Sequence, residues 1–363
     1  MSAPAAGANT LVATDPADPI LVWGAGAIGG TLGAYWARAG LDVLMIDIVE
    51  AHVRACRTDG LSITGPVEAF KVVVPALTVD ELRARGGRFS RIVLAVKALA
   101  TEVALEQLAP FLADDGFVLS AQNGLNELVI AERVGEQRTM GCFVNYGVDW
   151  HGPGEILYGN RGAVVVGEVD GSVRERTRRM HALLSIFEPE AVLTDNIYGY
   201  LWGKLAYGAM LTATALTPDS MSANFADPRR RAVFEQLGCE VMAVAHARAI
   251  DPVGFGEFDP RVFFPGGSAE RRRRAIDWLA DYTSHTAKTH SGIWRDLAVR
   301  KRKTEVHTQI GIIGRLGLEA GVRTPALGLL LALIRDIEEG RREQSFATFQ
   351  ELITACPPAT AGK

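Results

Sequence analysis

The stretch from 196 to 216, NIYGYLWGKLAYGAMLTATAL, is apolar or small almost all round and carries one full charge, Lys204. An unpaired buried ammonium is costly, so this lysine either snorkels to water or is held near a partner. Two more polar arrivals follow short apolar runs: Lys97 after IVLAV, and Asn123, preceded by Gln122, after VLSA. Their plain readings are an exposed loop lysine and an Asn-Gly turn. Arriving together at strand ends, they favour a shared ligand site over either plain reading alone. Further on, SGIWRDLAVRKRKTEVHTQIG holds Ser291 and Glu305. Taken alone, Glu305 is an ordinary surface glutamate. His290 and His307 have no cysteine or second histidine at ligand spacing, so no metal site is expected.

The elements that would position these groups fall into two halves. From Pro19 to about Thr194, strand-like runs (ILVWGAG, DVLMID, RIVLAVKA, GFVLSAQNG, GAVVVGE) alternate with helical stretches such as GGTLGAYWARAG. That alternation predicts a parallel sheet covered by helices. After Asp195 the strand signal ends. The expected fold is α/β: a Rossmann-like parallel-sheet domain over 19–194, then an all-α domain over 195–355. Residues 1–18 and 356–363 are read as tails, the first disordered.

Within the first strand–helix unit, Gly24, Gly26 and Gly29 have the spacing G-x-G-x-x-G. Thirty-eight glycines make such spacings cheap by chance, but an apolar strand before and a helix after is the demanding context. There the first glycine turns the chain, the second admits a pyrophosphate, and the third lets helix and strand approach. The helix N-terminus then binds the anion. Gly24, Gly26, Ala27, Ile28 and Gly29 are the expected cofactor contacts. Asp47 ends the second strand, where a carboxylate can accept from a ribose 2′-hydroxyl and would repel a 2′-phosphate. NAD is therefore favoured over NADP. Arg54 and Arg57 could serve NADP but are expected on the following helix.

Bulk properties are those of an ordinary soluble globular protein. The 363 residues are 48% hydrophobic and 22% charged, with a formal net charge of −4. Neither nucleic acid nor membrane is an expected partner; the longest apolar run, ALGLLLALI, is well short of the roughly 20 residues a spanning helix needs. Cys56, Cys142, Cys239 and Cys356 form no CxxC pair and read as reduced thiols of a cytoplasmic protein. The arginine runs 229–231 and 271–274 and the basic 300–303 read as solvated helix faces.

VWGAGAIGGTLGAYWARAG, VLAVKA, SAQNGL, WGKLAY and RKTEV, in that order, resemble the ketopantoate reductase family over roughly residues 19 to 335. The resemblance implies a Rossmann domain followed by a helical domain, an active site in the cleft between them, and reduction of a 2-oxo acid with a nicotinamide cofactor, usually NADPH. It implies that Lys204 is the catalytic lysine, with Glu305 acting beside it. Asn123 and Lys97 would lie by nicotinamide or substrate, and Ser291 would touch substrate. The family usually places asparagines four and eight residues beyond its lysine. Here stand Gly208 and Thr212, of which Thr212 is the expected substrate contact.

The expected reaction is hydride transfer between nicotinamide and a carbonyl or carbinol carbon, with Lys204 as general acid or base. Ketopantoate and a different polar hydroxy acid, oxidised catabolically, are both open as substrate. Other two-domain dehydrogenases and a non-catalytic NAD-binding sensor are the rival readings, and the WGKL and KTEV pair weighs against both. A small carboxylic acid is the expected ligand, and a homodimer is left open.

Overall fold

A computed structural model describes residues 12, 14–286 and 288–357 of the chain. The tail readings for 1–11, 13 and 358–363 lie outside the described residues. Residues 14–18 are not a loose tail. The Thr14 hydroxyl donates to Asp42 (2.9 Å), and Ser90 N–H donates to Asp18 (2.9 Å). Cys356 likewise is buried at the close of the last helix. The chain divides into two compact units between Ile197 and Tyr198.

The first unit runs β1 (Ile20–Trp23), α1 (Ala27–Arg38), β2 (Val43–Ile46), α2 (Glu50–Thr58), β3 (Leu61–Thr64), β4 (Phe70–Val72) and β5 (Ala76–Leu77). It continues with α3 (Val79–Arg85), β6 (Phe89–Leu94), α4 (Thr101–Leu108), β7 (Leu112–Ser120), α5 (Asn126–Val134) and β8 (Thr139–Val144). It closes with β9 (Gly147–Gly152), β10 (Glu155–Asn160), β11 (Val164–Glu168), α6 (Glu175–Phe187) and β12 (Val192–Leu193). The main sheet has the order β12-β11-β8-β7-β6-β1-β2-β5. Every side chain of β1, β2 and β8 is buried, as continuous apolar runs require when both faces are covered. Trp36 and Phe187 fill one face; Leu105, Phe111 and Ile130 fill the other.

From β5 to β8 the order is that of a dinucleotide-binding sheet, reversing direction between β1 and β6. Two features depart from the sequence expectation. The run GAVVVGE forms β11, antiparallel to β8. A crossover helix is needed only between parallel strands, and the chain between β8 and β11 supplies the β9–β10 hairpin instead. That hairpin joins β3 and β4 in a second, four-stranded sheet of order β4-β3-β10-β9.

The second unit is helical: α7 (Ile197–Thr214, whose first residue closes the first unit), α8 (Met221–Ala226), α9 (Arg231–Ala247), α10 (Ala269–Ser284) and α11 (Gly292–Ala298), then α12 (Val306–Gln309), α13 (Gly311–Glu319), α14 (Pro325–Glu338) and α15 (Phe346–Ala355). Glu240 on α9 caps α14, its two oxygens accepting Ala326 and Leu327 N–H at 2.9 Å each. The expectation of solvated arginines fails at Arg230, which is buried and donates to Asp219 (2.6 Å) and Asn224 (2.5 Å). Among the described residues no helix is long and apolar enough to cross a membrane.

Candidate active site

The glycine turn follows β1 at the point where the sheet order reverses. Gly24 has φ +97°, a conformation that strains any other residue. A Cβ at Gly29 would lie 2.1 Å from the Gly24 carbonyl oxygen, so only glycine lets α1 start this close to β1. A Cβ at Gly26 would meet nothing within 4 Å. Gly26 is also the N-cap of α1, and no side chain caps that helix. Free N–H groups, the positive end of the helix dipole and open space above Gly26 together fit a pyrophosphate. Ala27 and Ile28, half-buried, form the first turn.

Asp47 follows β2 and holds this turn. Its Oδ2 accepts Ala25 N–H at 2.9 Å and its Oδ1 accepts Val49 N–H at 2.9 Å. A carboxylate has about four acceptor positions, so capacity for a ribose hydroxyl remains. Arg54 and Arg57 do lie on α2. They line a cleft with Glu50 and Glu81, and Arg57 pairs with Glu81 at 2.8 Å.

Lys97 and Asn123 are exposed in the loops after the adjacent parallel strands β6 and β7. A buried amide chain ties these loops together. Gln122 Nε2 donates to Val96 O (2.9 Å) and Thr101 Oγ1 (2.8 Å); Thr101 donates to Asn126 Oδ1 (2.8 Å); Asn126 Nδ2 donates to Asn123 O (2.8 Å). Gly124, at φ +98°, completes the Asn-Gly turn. Beneath it Glu127 is fully buried on α5. Burial pushes its carboxyl up to about 8, and its own main-chain amide and the Ser120 hydroxyl offset only part of that.

In the second unit Lys204 is half-buried on α7, between buried Trp202 and Leu205. Its neighbour Gly203 is there for a steric reason: a Cβ would lie 1.9 Å from Val253 O. Val253 N–H in turn donates to Gly199 O at 2.9 Å, so the loop after α9 packs directly on α7 beside the lysine. One turn on, a Cβ at Gly208 would come 3.7 Å from Ile310 Cδ1. Ile310 closes the short helix α12, whose N-cap is Glu305, so the far end of α12 comes close to α7 at Gly208. Glu305 makes no side-chain cap to its own helix. Its segment is pinned from α14: Thr304 N–H and Oγ1–H both donate to Glu338 Oε1, at 2.7 and 2.6 Å.

Ser291 is buried and caps α11, its Oγ accepting Trp294 N–H at 3.1 Å. Trp294 Nε1 donates to Thr217 O at 3.0 Å, which ties this segment to the end of α7. Thr212 sits in the helix interior. Its side chain is buried and its hydroxyl donates to Gly208 O at 2.8 Å, so it does not present that hydroxyl to a ligand. Among the described residues there is no cluster of three metal-ligating side chains. All four cysteines are free.

Comparison with known proteins bears on both units. The family model described as ketopantoate reductase PanE/ApbA matches residues 20–171, and that of its C-terminal part matches residues 196–338. The chain belongs to the ketopantoate reductase family. A 2-dehydropantoate 2-reductase of Mesorhizobium japonicum is 29% identical over 342 residues, 87% of this chain and 96% of the relative. One of Archaeoglobus fulgidus is 28% identical over 330 residues, covering 88% and 98%. A ketopantoate reductase structure from Ralstonia eutropha superposes with a TM-score of 0.72 at 26% identity, over 89% of this chain and 99% of that one. A structure of D-mandelate dehydrogenase with NADH and anilino(oxo)acetate has a TM-score of 0.75 at 22% identity, covering 88% and 98%, and shows the shared fold. As a ketopantoate reductase family member the chain is an NAD(P)-dependent oxidoreductase acting on the CH–OH group.

Glu338, Thr304 and His52 are not legible in the sequence, because their partners lie far away in the chain. Only a family resemblance singled out Glu305; its isolated pattern is that of any surface glutamate.

Proposed function

We propose that this family member interconverts a 2-oxo acid and a 2-hydroxy acid with NADH, using Lys204 as the proton carrier. The close approach of α7 at Gly208 to Ile310, one turn beyond Lys204 and at the end of the helix that Glu305 caps, supports the reading best. A bound nicotinamide dinucleotide supplies or takes the hydride. Lys204 Nζ donates a hydrogen bond to the substrate oxygen and passes its proton there as the carbonyl carbon accepts hydride. In the oxidising direction neutral Lys204 takes the hydroxyl proton. Glu305 orients the ammonium, and Ser291 and Asn123 hold substrate. The glycine turn and Asp47 hold the dinucleotide, Gly24 through Gly29 at the pyrophosphate and Asp47 at the ribose, with Lys97 nearby. The acid at Asp47, and carboxylates beside both α2 arginines, support NADH over NADPH.

A substrate other than ketopantoate is a second reading, and a specific position favours it. Where the family resemblance implies a substrate-holding amide, Gly208 leaves an open position facing Ile310. A 2-oxo acid with an apolar group suits that wall better than one recognised through amides. A homodimer and a cytoplasmic location complete the proposal. The test is turnover of NADH and NADPH over a panel of 2-oxo acids that includes ketopantoate and an aromatic 2-oxo acid. Turnover of none of them, with tight NADH binding, would favour a sensor instead.

A further inference from the structure

His52 lies on the first turns of α2 and is buried. Its Nδ1 accepts Gly154 N–H at 2.9 Å, with the Trp150 indole N–H at 3.4 Å. A main-chain N–H can only donate, so Nδ1 carries no proton and the ring is the Nε2–H tautomer. That Nε2–H donates to Ala25 O at 2.8 Å. Cys56 Sγ stands 3.6 Å from the same nitrogen. Burial pushes the Cys56 thiol up to about 12, so it stays neutral beside the ring.

Ala25 is the residue between the first two glycines of the turn. Its N–H is held by Asp47 and its C=O by His52, from two different positions beyond β2. The Ala25 carbonyl shares a peptide plane with Gly26 N–H, and in a trans peptide the two point in opposite directions. Fixing the carbonyl toward His52 therefore aims Gly26 N–H the other way, and a Cβ at Gly26 would meet nothing within 4 Å.

We infer that His52 is a positioning residue for the dinucleotide: it presets the Ala25–Gly26 peptide so that Gly26 N–H meets the pyrophosphate. The β9–β10 hairpin, through Gly154, selects the tautomer that can do this. Without the imidazole this peptide is free to rotate, and binding must order it. The inference rests on the reading of the glycine turn as the dinucleotide site.

Two polar substitutions separate positioning from general support of the hairpin. In His52→Gln the amide N–H can still reach Ala25 O. In His52→Asn the shorter side chain can keep an acceptor toward Gly154 but not the donor to Ala25. Binding of NADH and NADPH is measured by titration, and kcat and KM by steady-state turnover. The expected result for His52→Asn is a Kd and KM for the dinucleotide raised about tenfold, the effect of one lost hydrogen bond, with kcat within about twofold of wild type. His52→Gln stays close to wild type. Equal loss in both variants, the reverse order, unchanged affinity in both, or a kcat falling with the affinity would overturn the inference. Wild type binding neither dinucleotide would overturn the underlying reading instead.

Discussion

Asp47 and Ala25, 22 residues apart, are joined by a 2.9 Å hydrogen bond from the Ala25 amide to the Asp47 carboxylate. The acid proposed to discriminate between dinucleotides thus also holds the glycine turn proposed to bind them. Replacing Asp47 with asparagine keeps an acceptor but removes the charge. The kcat/KM for NADH should fall about tenfold, as loss of a hydrogen bond to a charged group implies. With the repulsive charge gone, the value for NADPH should hold or rise. Steady-state kinetics with both cofactors checks this; an unchanged ratio would remove Asp47 from cofactor choice.

Glu338 should act on turnover through Glu305. Glu338→Ala leaves the Thr304 N–H and hydroxyl without their acceptor, at a cost of about 1–3 kcal/mol in stability. The kcat should fall about tenfold while the KM for NADH stays put, and Glu338→Gln, which retains an acceptor, should recover most of it. A loss shared equally by kcat and NADH binding would mean that Glu338 supports only the fold.

Glu127 gives the folded protein a pH signature. Its carboxyl is raised from the ordinary 4.5 to about 8 by burial, so the native state holds this proton more tightly than the unfolded chain. The contribution is fully present below about pH 4.5 and is lost as pH rises through about 8. Denaturant titrations across that window should show Glu127→Gln losing less stability with rising pH than wild type. Parallel curves would contradict the assignment.

Much of this architecture is legible locally. The glycine turn, the acid ending β2 and the strand-end groups Lys97 and Asn123 all follow from apolar runs that stop at polar residues. The small sheet is not legible in that way, because β3, β4, β9 and β10 are short and partly exposed, and the β3–β10 pairing that joins the two hairpins spans about ninety residues. Position 212 shows the opposite limit. Helical periodicity places Thr212 on the face of Lys204 and Gly208, but packing buries it and the helix takes its hydroxyl. His52 carries no signal in its neighbourhood at all; its meaning comes from Gly154, about a hundred residues on.

Lys204 is proposed to carry the proton in a nicotinamide-dependent reduction. Its most direct test is single-turnover NADH oxidation by wild type and Lys204→Ala, each saturated with the best 2-oxo acid of the panel. NADH should bind both proteins with similar affinity, and the chemical step should slow by about 10²–10⁴ in the variant. A variant that oxidises NADH at nearly the wild-type rate would contradict it.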